Sequence, residues 1–383
     1  MLRHTGTPHV LHAHDWQAAL ALAFLKAQPE RYPGLSTVRT VLTIHNLGYQ
    51  GVFGPDEWDL LNLDASLFTP RHFEFYGKIN FLKAGLAFAD AITTVSPTYA
   101  REIQTQDHGF GLEGVLQERT SRLVGILNGV DYDRWNPETD PAIAGNYGPA
   151  DFSGKRACKA DLQKEFGLPQ EPQTPLVGMV SRMAAQKGFD LLASAVDPLI
   201  AKGLQLVVVG TGDQHYQDLF QAVARRCAGR LKIRIAFDER LARQVEAGAD
   251  LFLMPSRYEP CGLNQLYSLK YGTIPVVRAT GGLKDSVDEF DPATGAGTGF
   301  VFEAYESAAL LAAVDRALTT FHNKDQWATL MRNAMTADYS WNHSAREYVR
   351  LYQSLVTPKR RASPHPKTKP ARTEAKPVRT RKA

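Results

Sequence analysis

Two cations, one carboxylate and a pair of glycines follow strand-like segments in the second half of this chain. Arg182 and Lys187 lie in the segment SRMAAQKG, Glu259 lies in SRYEPCGL, and Gly281 and Gly282 lie in the turn TGGL. A guanidinium, an ammonium group and free backbone N–H groups suit a diphosphate, whereas a carboxylate suits the hydroxyls of a sugar. Together these residues predict a site for a nucleotide-activated sugar.

Each of these features also has a purely structural explanation. Arg182 and Lys187 can be solvated loop charges, although an arginine directly after a buried strand is poorly placed for that. Glu259 can simply lie near the positive end of a helix, and the glycine pair can form no more than a tight turn. Gly210 follows the apolar run LQLVVV and lets the backbone approach a ligand, but this indication is weak on its own.

A second group of candidates lies in the segment HAHDW near the start of the chain. Alternation along a strand places His12 and His14 on one face, and Asp15 is placed to cap the following helix. Three interpretations stay open: a metal site, buried hydrogen-bonded histidines, or His14 at the floor of a substrate cleft. The metal site is the least favoured, because His45 is the only later histidine at a strand end and no second carboxylate motif completes a ligand set.

The elements that must position these residues alternate between strands and helices. Buried strands are predicted at VLHAH, TVLTIHN, AITTVS and LVGILNG, and, after a polar stretch near residues 137–159, at PLVGMVS, LQLVVVGTG, IRIAFD, ADLFLMPS and IPVVRA. This alternation predicts an α/β fold with two Rossmann-like, doubly wound parallel-sheet domains, in which ligands gather at the carboxyl ends of the strands. The predicted boundaries are 1–140 for an N-terminal domain, 141–340 for a nucleotide-sugar-binding domain, 341–358 for a closing amphipathic helix and 359–383 for a tail.

Composition and charge limit the class of protein. Of the 383 residues 44% are hydrophobic and 22% charged, and no apolar run approaches membrane-spanning length. Three scattered cysteines and a start that lacks the apolar core of a signal peptide predict a cytoplasmic protein without a disulfide framework. Residues 359–383 hold ten Lys or Arg and one acid, so the net charge of +4 divides into +9 for this tail and −5 for the rest. The tail is predicted to be disordered, either without a specific role or in loose contact with polyanions.

Long motifs give the chain a resemblance to a known family. The segments HAHDWQAAL, TIHNLGYQGVF, FLKAGLAFADAITTVSPTYAREI, LNGVDYDRWNPETD, SRMAAQKGFDLL and SRYEPCGLNQLYSLKYGTIPVVRATGGLKDSV resemble bacterial glycogen synthase, the starch synthase type of glycosyltransferase. The resemblance extends from about His9 to Leu355. It implies a GT-B fold, with two Rossmann-like domains facing across a cleft, and retaining transfer of glucose from ADP-glucose to the 4-hydroxyl end of an α-1,4-glucan such as glycogen. No cofactor and no metal are implied.

The resemblance also assigns roles to individual residues. Arg182 and Lys187 are expected to bind the donor diphosphate and to stabilise the departing ADP, with Glu259 contacting the transferred glucose and His14 lying beneath its ring. Backbone and side-chain groups expected to bind the substrate are Asn128, Gly210, Cys261, Gly262, Leu263, Thr280, Gly281 and Gly282.

One motif of the family is missing from the printed sequence. Family members open with a Lys-x-Gly-Gly-Leu loop in the N-terminal domain, whereas the only GGL here, at Gly281 to Leu283, belongs to the C-terminal domain. The expectation is an incomplete N-terminal domain on the glucan side, which would impair transfer. The alternatives are a catalytically dead ADP- or glucan-binding fragment and, less favoured, a metal-dependent hydrolase centred on His12, His14 and Asp15.

Overall fold

The computed structural model describes residues 6–227 and 229–357, and it contains two parallel sheets covered by helices. Residues 359–383, for which a disordered tail was predicted, lie outside the described residues. The first half of the chain contains β1 (Val10–His14), α1 (Asp15–Ala27), β2 (Arg39–Ile44), β3 (Val52–Phe53), β4 (Glu74–Phe75), β5 (Lys78–Asn80), α2 (Phe81–Phe88), β6 (Ala91–Thr94), α3 (Pro97–Glu102), α4 (Gln106–Gly109), α5 (Glu113–Glu118) and β7 (Leu123–Gly125).

The second half of the chain repeats the alternation with longer helices. It contains α6 (Ser153–Glu165), β8 (Leu176–Val180), α7 (Phe189–Ala201), β9 (Gln205–Val209), α8 (Gln214–Arg226), β10 (Leu231–Arg234), α9 (Glu239–Gly248), β11 (Leu251–Met254), α10 (Asn264–Lys270), β12 (Ile274–Arg278), α11 (Gly281–Ser286), β13 (Phe300–Phe302), α12 (Ser307–His322), α13 (Lys324–Thr336) and α14 (Trp341–Val356).

The first sheet has four parallel strands in the order β1-β2-β6-β7. Its two central strands, β2 and β6, are buried on both faces, which is why their sequences are continuous apolar and threonine runs rather than alternating patterns. A small antiparallel sheet, β3-β5-β4, lies between β2 and α2 in the sequence. Its strands have only two or three residues, too few for periodicity to predict.

The second sheet has six parallel strands in the order β10-β9-β8-β11-β12-β13. The strand order reverses between β8 and β11, so the chain leaves β8 toward one edge of the sheet and later returns to its other side. Ligands of open α/β sheets bind at the carboxyl ends of the strands beside such a reversal. The predicted strands are found in both sheets, but β10 lies at Leu231–Arg234 rather than at residues 233–238, and β13 was not predicted.

Apolar packing on both faces of the second sheet holds these strand ends in place. On one face α7 and α12 cover β9 and β12 with side chains such as Phe189, Leu192 and Val314, all buried. On the other face α6 and α9 pack through Leu162 and Val245 against the same sheet. Because the loops that follow β8 and β11 begin on fully covered strands, the side chains in those loops have little freedom to shift.

The two halves are joined by a pair of short helices that cap each other. The N–H of Thr98 at the start of α3 donates to Asp285 Oδ2 of α11 over 2.6 Å, and the N–H of Gly281 at the start of α11 donates to Glu102 Oε1 of α3 over 3.0 Å. Each carboxylate therefore satisfies free N–H groups at the positive end of the other helix. This reciprocal contact ties the ends of the two sheets together.

The last helix returns to the first half of the chain. α14 occupies the segment for which an amphipathic helix was predicted, and the Ser344 hydroxyl donates to the carbonyl of Leu127 over 2.6 Å. Within residues 6–227 and 229–357, no helix is long and apolar enough to cross a bilayer. The domain boundaries at residues 140 and 340 stay predictions.

Candidate active site

A cavity of about 420 Å³ lies at the carboxyl ends of β8 and β11, facing the first half of the chain. The second half contributes the loops that follow these two strands, and the first half contributes the residues that follow β2, β6 and β7. The polar residues on its wall are His45, Asn46 and Asn128 from the first half, and Ser181, Arg182, Gln186, Lys187, Ser256, Glu259 and Asn264 from the second; Cys261, Gly262 and Leu263 also line it.

A buried ion pair forms the floor of the cavity. Glu259 is only 5% exposed, and its Oε2 accepts from Lys187 Nζ over 2.6 Å and from the Ser256 hydroxyl over 3.0 Å. A carboxylate removed from water is stable only when it is paired and hydrogen-bonded, and both conditions are met here. The structure therefore places an ammonium group and a carboxylate, predicted from separate motifs, in direct contact at one site.

Arg182 lies on the same wall and reaches toward the first half. Its Nη1 donates to the Tyr49 hydroxyl over 2.9 Å and its Nη2 to Gln186 Oε1 over 3.3 Å. Its guanidinium carbon also lies 6.0 Å from the centre of the Tyr49 ring, within the range of a cation–π contact. These contacts direct the guanidinium along the cavity wall, where its remaining donors can meet an anion.

Glycines allow the loops around these cations to approach one another. A side chain at Gly188, whose φ is +76°, would collide with the carbonyl of Pro255, and one at Gly210 would collide with the carbonyl of Ser181. The absence of a side chain at Gly188 therefore lets the loop that contains Lys187 pack closely against the loop that contains Glu259. Gly210 has a packing role beside the loop that follows β8, and it does not lie on the cavity wall where a substrate-binding residue was expected.

The segment Cys261–Leu263 forms the cavity wall next to Glu259. Gln265 donates to the carbonyls of Cys261 and Gly262, both over 3.0 Å, and so fixes this turn ahead of α10. Burial raises the pKa of the Cys261 thiol to about 12; a backbone hydrogen bond with Asn128 opposes this rise, and the nearby charges of Glu259 and Asp285 add to it. The thiol is thus uncharged at neutral pH, and it packs in the wall rather than acting as a nucleophile.

The glycine pair of the TGGL turn is placed differently from the expectation. The N–H of Gly281 donates to Glu102 and that of Gly282 donates to the carbonyl of Glu259 over 3.1 Å, while the Thr280 hydroxyl donates to Glu102 Oε1 over 3.1 Å. Residues 280–282 are buried and lie off the cavity wall, so these donors are occupied by protein groups rather than directed at a diphosphate. Through the bond from Gly282, the turn holds the backbone of Glu259 in place.

The histidines are also arranged differently from the expectation. His14 lies off the cavity wall, whereas His45, which follows β2, lies on it. His14 Nδ1 is 2.9 Å from His45 Nε2, and the His14 ring stacks between those of His12 and His45 at centroid distances of 4.3 and 5.2 Å. His14 therefore contacts His45, which lines the cavity.

Asp15 was predicted to cap α1, but the structure shows no such cap. It has a φ of +55°, a left-handed conformation that is costly for a residue other than glycine, and its Oδ1 accepts the backbone N–H of His45 over 2.7 Å. This bond fixes the backbone of His45, which lines the cavity, to the end of β1. Among the described residues, no group of three or more His, Cys, Asp or Glu side chains is arranged to hold a metal ion.

His12 gives the histidine stack a pH dependence. Its ring nitrogens lie 2.7 Å from the Tyr352 hydroxyl and 2.6 Å from that of Thr43. Burial, reinforced by the neighbouring His14 and His45, lowers the pKa of His12 from 6.5 to about 4. The unfolded chain therefore binds a proton at pH values where the folded chain does not, and this linkage reduces stability as the pH falls from 6.5 toward about 4.

We expect His12→Gln to reduce this loss of stability. The measurement is the free energy of unfolding in urea at about pH 7 and about pH 5, compared between the natural chain, His12→Gln and the control His215→Gln, which changes an exposed histidine of α8. The natural chain and the control should lose more stability between the two pH values than His12→Gln does. Equal losses in all three proteins would contradict the role given to His12.

Comparisons with known proteins agree with this geometry. Residues 1–118 match the family model of the starch synthase catalytic domain, and residues 162–331 match that of glycosyl transferases group 1. Glycogen synthase of Koribacter versatilis (strain Ellin345) is 51% identical over 348 residues, covering 91% of this chain and 72% of the relative. Glycogen synthase of Thermotoga maritima is 50% identical over 350 residues, with coverages of 91% and 72%.

Solved structures give the same result at the level of the fold. The catalytic domain of starch synthase IV from Arabidopsis thaliana, bound to ADP and acarbose, has a TM-score of 0.86 at 34% identity and covers 93% of this chain and 74% of its own. Sucrose-phosphate synthase from Thermosynechococcus elongatus, at 18% identity and a TM-score of 0.57, shares the fold alone. None of these relatives is a hydrolase, and the chain belongs to the glycogen synthase family of GT-B glucosyltransferases.

Proposed function

We propose that this chain transfers glucose from ADP-glucose to the 4-hydroxyl at the non-reducing end of an α-1,4-glucan, with retention of the anomeric configuration. The observation that carries the proposal is that Arg182, Lys187 and Glu259 share one cavity, with Lys187 Nζ 2.6 Å from Glu259 Oε2. Two cations and a carboxylate on one wall match the two parts of a sugar nucleotide, its diphosphate and its hydroxyl-bearing ring.

The cations act on the leaving group. As the bond between the anomeric carbon and the diphosphate breaks, negative charge gathers on the departing oxygen, and cations fixed in advance stabilise that charge most strongly. The ammonium group of Lys187 has three donors, so it can hold Glu259 and a phosphate oxygen at once. Arg182 adds planar paired donors suited to phosphate.

The carboxylate acts on the sugar. Glu259 lines the cavity, and it can accept from a glucose hydroxyl while opposing the positive charge that develops at the anomeric carbon. Because Glu259 is only 5% exposed, water screens this effect little. His45 and Asn128 bring polar groups of the first half to the same cavity, and Cys261–Leu263 close its wall.

The choice of ADP rests on similarity and on the site together. The starch synthase IV structure that this chain resembles was solved with ADP and acarbose, and we propose the same nucleotide and a glucan acceptor here. The three cysteines, Cys158, Cys227 and Cys261, are unpaired within the described residues, which suits the cytoplasm that we propose as the site of the reaction.

Incorporation of labelled glucose into glycogen tests the proposal. The full chain is incubated with glycogen and either ADP-glucose or UDP-glucose, and the new linkages are identified by NMR. We expect incorporation from ADP-glucose to exceed that from UDP-glucose and the new linkages to be α-1,4. Absence of incorporation from both donors, or formation of β-linkages, would overturn it.

A further inference from the structure

Three exposed aromatic side chains lie on segments that are distant in sequence, and one of them contacts the cavity wall. Tyr49 is 48% exposed, Phe110 41% and Tyr76 81%. They come from the loop after β2, from the end of α4 and from the turn between β4 and β5. Exposed large apolar surfaces that are grouped together mark binding sites more often than isolated ones do.

Contacts through neighbouring residues connect the three aromatic side chains to the cavity. Tyr49 accepts from Arg182, which lines the cavity, over 2.9 Å. A side chain added at Gly48 would meet the Tyr258 hydroxyl at 3.2 Å and Phe110 Cζ at 3.7 Å, so both aromatic side chains lie against the backbone preceding Tyr49. The rings of Phe110 and Tyr258 meet edge to face at a centroid distance of 5.6 Å.

The contacts continue from Phe110 to Tyr76. A side chain at Gly111, the residue after Phe110, would meet Phe75 Cζ at 2.9 Å and Tyr76 Cε2 at 3.3 Å. The rings of Phe75 and Tyr76 are themselves in edge-to-face contact at 4.7 Å. We call the sequence of side chains Tyr49, Tyr258, Phe110 and Tyr76 the aromatic track.

The backbone under the aromatic track is strained. Tyr76 and Phe110 both have a φ of +50°, a left-handed conformation that bulky side chains rarely adopt. Tyr76 and Gly77 form a two-residue hairpin turn with both φ values positive, for which asparagine followed by glycine is strongly preferred. Such strain at an exposed position indicates function.

We propose that the aromatic track binds the part of an α-glucan chain that lies beyond the sugar units in the cavity. This inference rests on the proposed function, which makes a glucan the acceptor. The apolar faces of glucose rings pack on aromatic faces, and the tyrosine hydroxyls can hydrogen-bond to sugar hydroxyls at the same time. The continuity of the track with the cavity favours a chain-shaped ligand that passes through both, over a compact protein partner.

The aromatic track should matter only for long acceptors. A short oligosaccharide ends within the cavity and does not reach Phe110 or Tyr76, whereas a glycogen branch does. The loss of one ring contact is expected to weaken binding of a long chain by about two- to tenfold. Transfer to a short acceptor and binding of ADP-glucose should not change, because neither Phe110 nor Tyr76 lines the cavity.

The variants Tyr76→Asn and Phe110→Asn test the track without threatening the fold. Asparagine tolerates a positive φ and removes the ring, so both proteins should unfold at a temperature no lower than that of the natural chain. The control is Leu60→Asn. Leu60 is as exposed as Tyr76, at 81%, but it lies in the 3₁₀ segment Pro55–Leu61 and is not part of the aromatic track. The expected result is a raised KM for glycogen in the two track variants, with kcat and the KM for maltotriose and ADP-glucose unchanged.

Retardation in gels that contain glycogen gives a second readout that needs no turnover. We expect the track variants to migrate faster than the natural chain and the Leu60→Asn control to be retarded like it. If the natural chain transfers no glucose but the variants still lose retardation, the proposed function is wrong, whereas glucan binding by the aromatic track is supported. Unchanged retardation and unchanged KM for glycogen in both track variants would overturn the track, as would an equal rise in KM for maltotriose.

Discussion

Replacing Lys187 by alanine is expected to lower kcat for glucosyl transfer by about 10²–10³-fold, the range found when one fixed charge-stabilising donor is removed from an active site. The ammonium group lies 2.6 Å from Glu259 and shares the cavity with Arg182, so its removal leaves the departing diphosphate with one cation instead of two. The measurement is steady-state kinetics with ADP-glucose and glycogen. ADP, as a product inhibitor, should also bind more weakly to the variant.

The control for this variant is Lys202→Ala. Lys202 forms an ion pair of the same length, 2.6 Å, with Asp315 on the surface, and it does not line the cavity. Surface pairs of this kind contribute little to stability, and kcat should stay close to that of the natural chain. A kcat for Lys187→Ala within about threefold of the natural value would remove Lys187 from the group that stabilises the leaving diphosphate.

Loss of the ion pair also destabilises the fold, and this effect must be separated from the chemistry. In Lys187→Ala the buried Glu259 carboxylate keeps only the Ser256 hydroxyl as a side-chain partner, and breaking a buried pair typically costs about 3–5 kcal/mol. Because Lys187 is itself 22% exposed, a smaller loss is expected. The double variant Lys187→Ala/Glu259→Gln removes the orphaned charge and should recover stability while transfer stays slow. Because Glu259→Gln alone is expected to slow transfer, the double variant is compared with that single variant. Equal kcat values for the two would mean that Lys187 serves only folding.

The sequence predicted those parts of the site that depend on local pattern. Arg182, Lys187 and Glu259 each follow a continuous apolar run, and such runs in alternation with helices form parallel sheets whose carboxyl ends meet. The strand order then brings the ends of β8 and β11 together, and the three side chains line one cavity. Local pattern was sufficient because each side chain lies within a few residues of the strand that positions it.

Other features of the site depend on contacts that no local pattern records. The donors of Gly281 are occupied by Glu102, a residue 179 positions earlier in the chain, and nothing near the TGGL motif indicates that partner. That His45 rather than His14 lies on the cavity wall depends on how the segments after β1 and β2 pack, and periodicity within either strand does not contain that information. Local patterns therefore predicted which residues share the cavity only where the neighbouring strand positions them, and not where distant parts of the chain do.

Glu259→Gln should lower kcat by about 10²–10³-fold while leaving ADP bound as tightly as before or more tightly. The amide has the shape of the carboxylate and can still accept from the Ser256 hydroxyl, so the loss is one of charge rather than of packing. Without the carboxylate, the positive charge that develops at the anomeric carbon is no longer opposed. Lys187, freed from its 2.6 Å pair, can direct all of its charge toward the diphosphate.

The response of ADP binding therefore distinguishes the two variants at this ion pair. Calorimetric titration should show weaker ADP binding for Lys187→Ala and equal or tighter binding for Glu259→Gln, although both proteins transfer glucose slowly. The control Glu165→Gln changes a half-exposed carboxylate that pairs with Arg234 outside the cavity, and it should alter neither quantity. Weaker ADP binding in Glu259→Gln would mean that the carboxylate mainly positions Lys187, and its proposed action on the sugar would then be wrong.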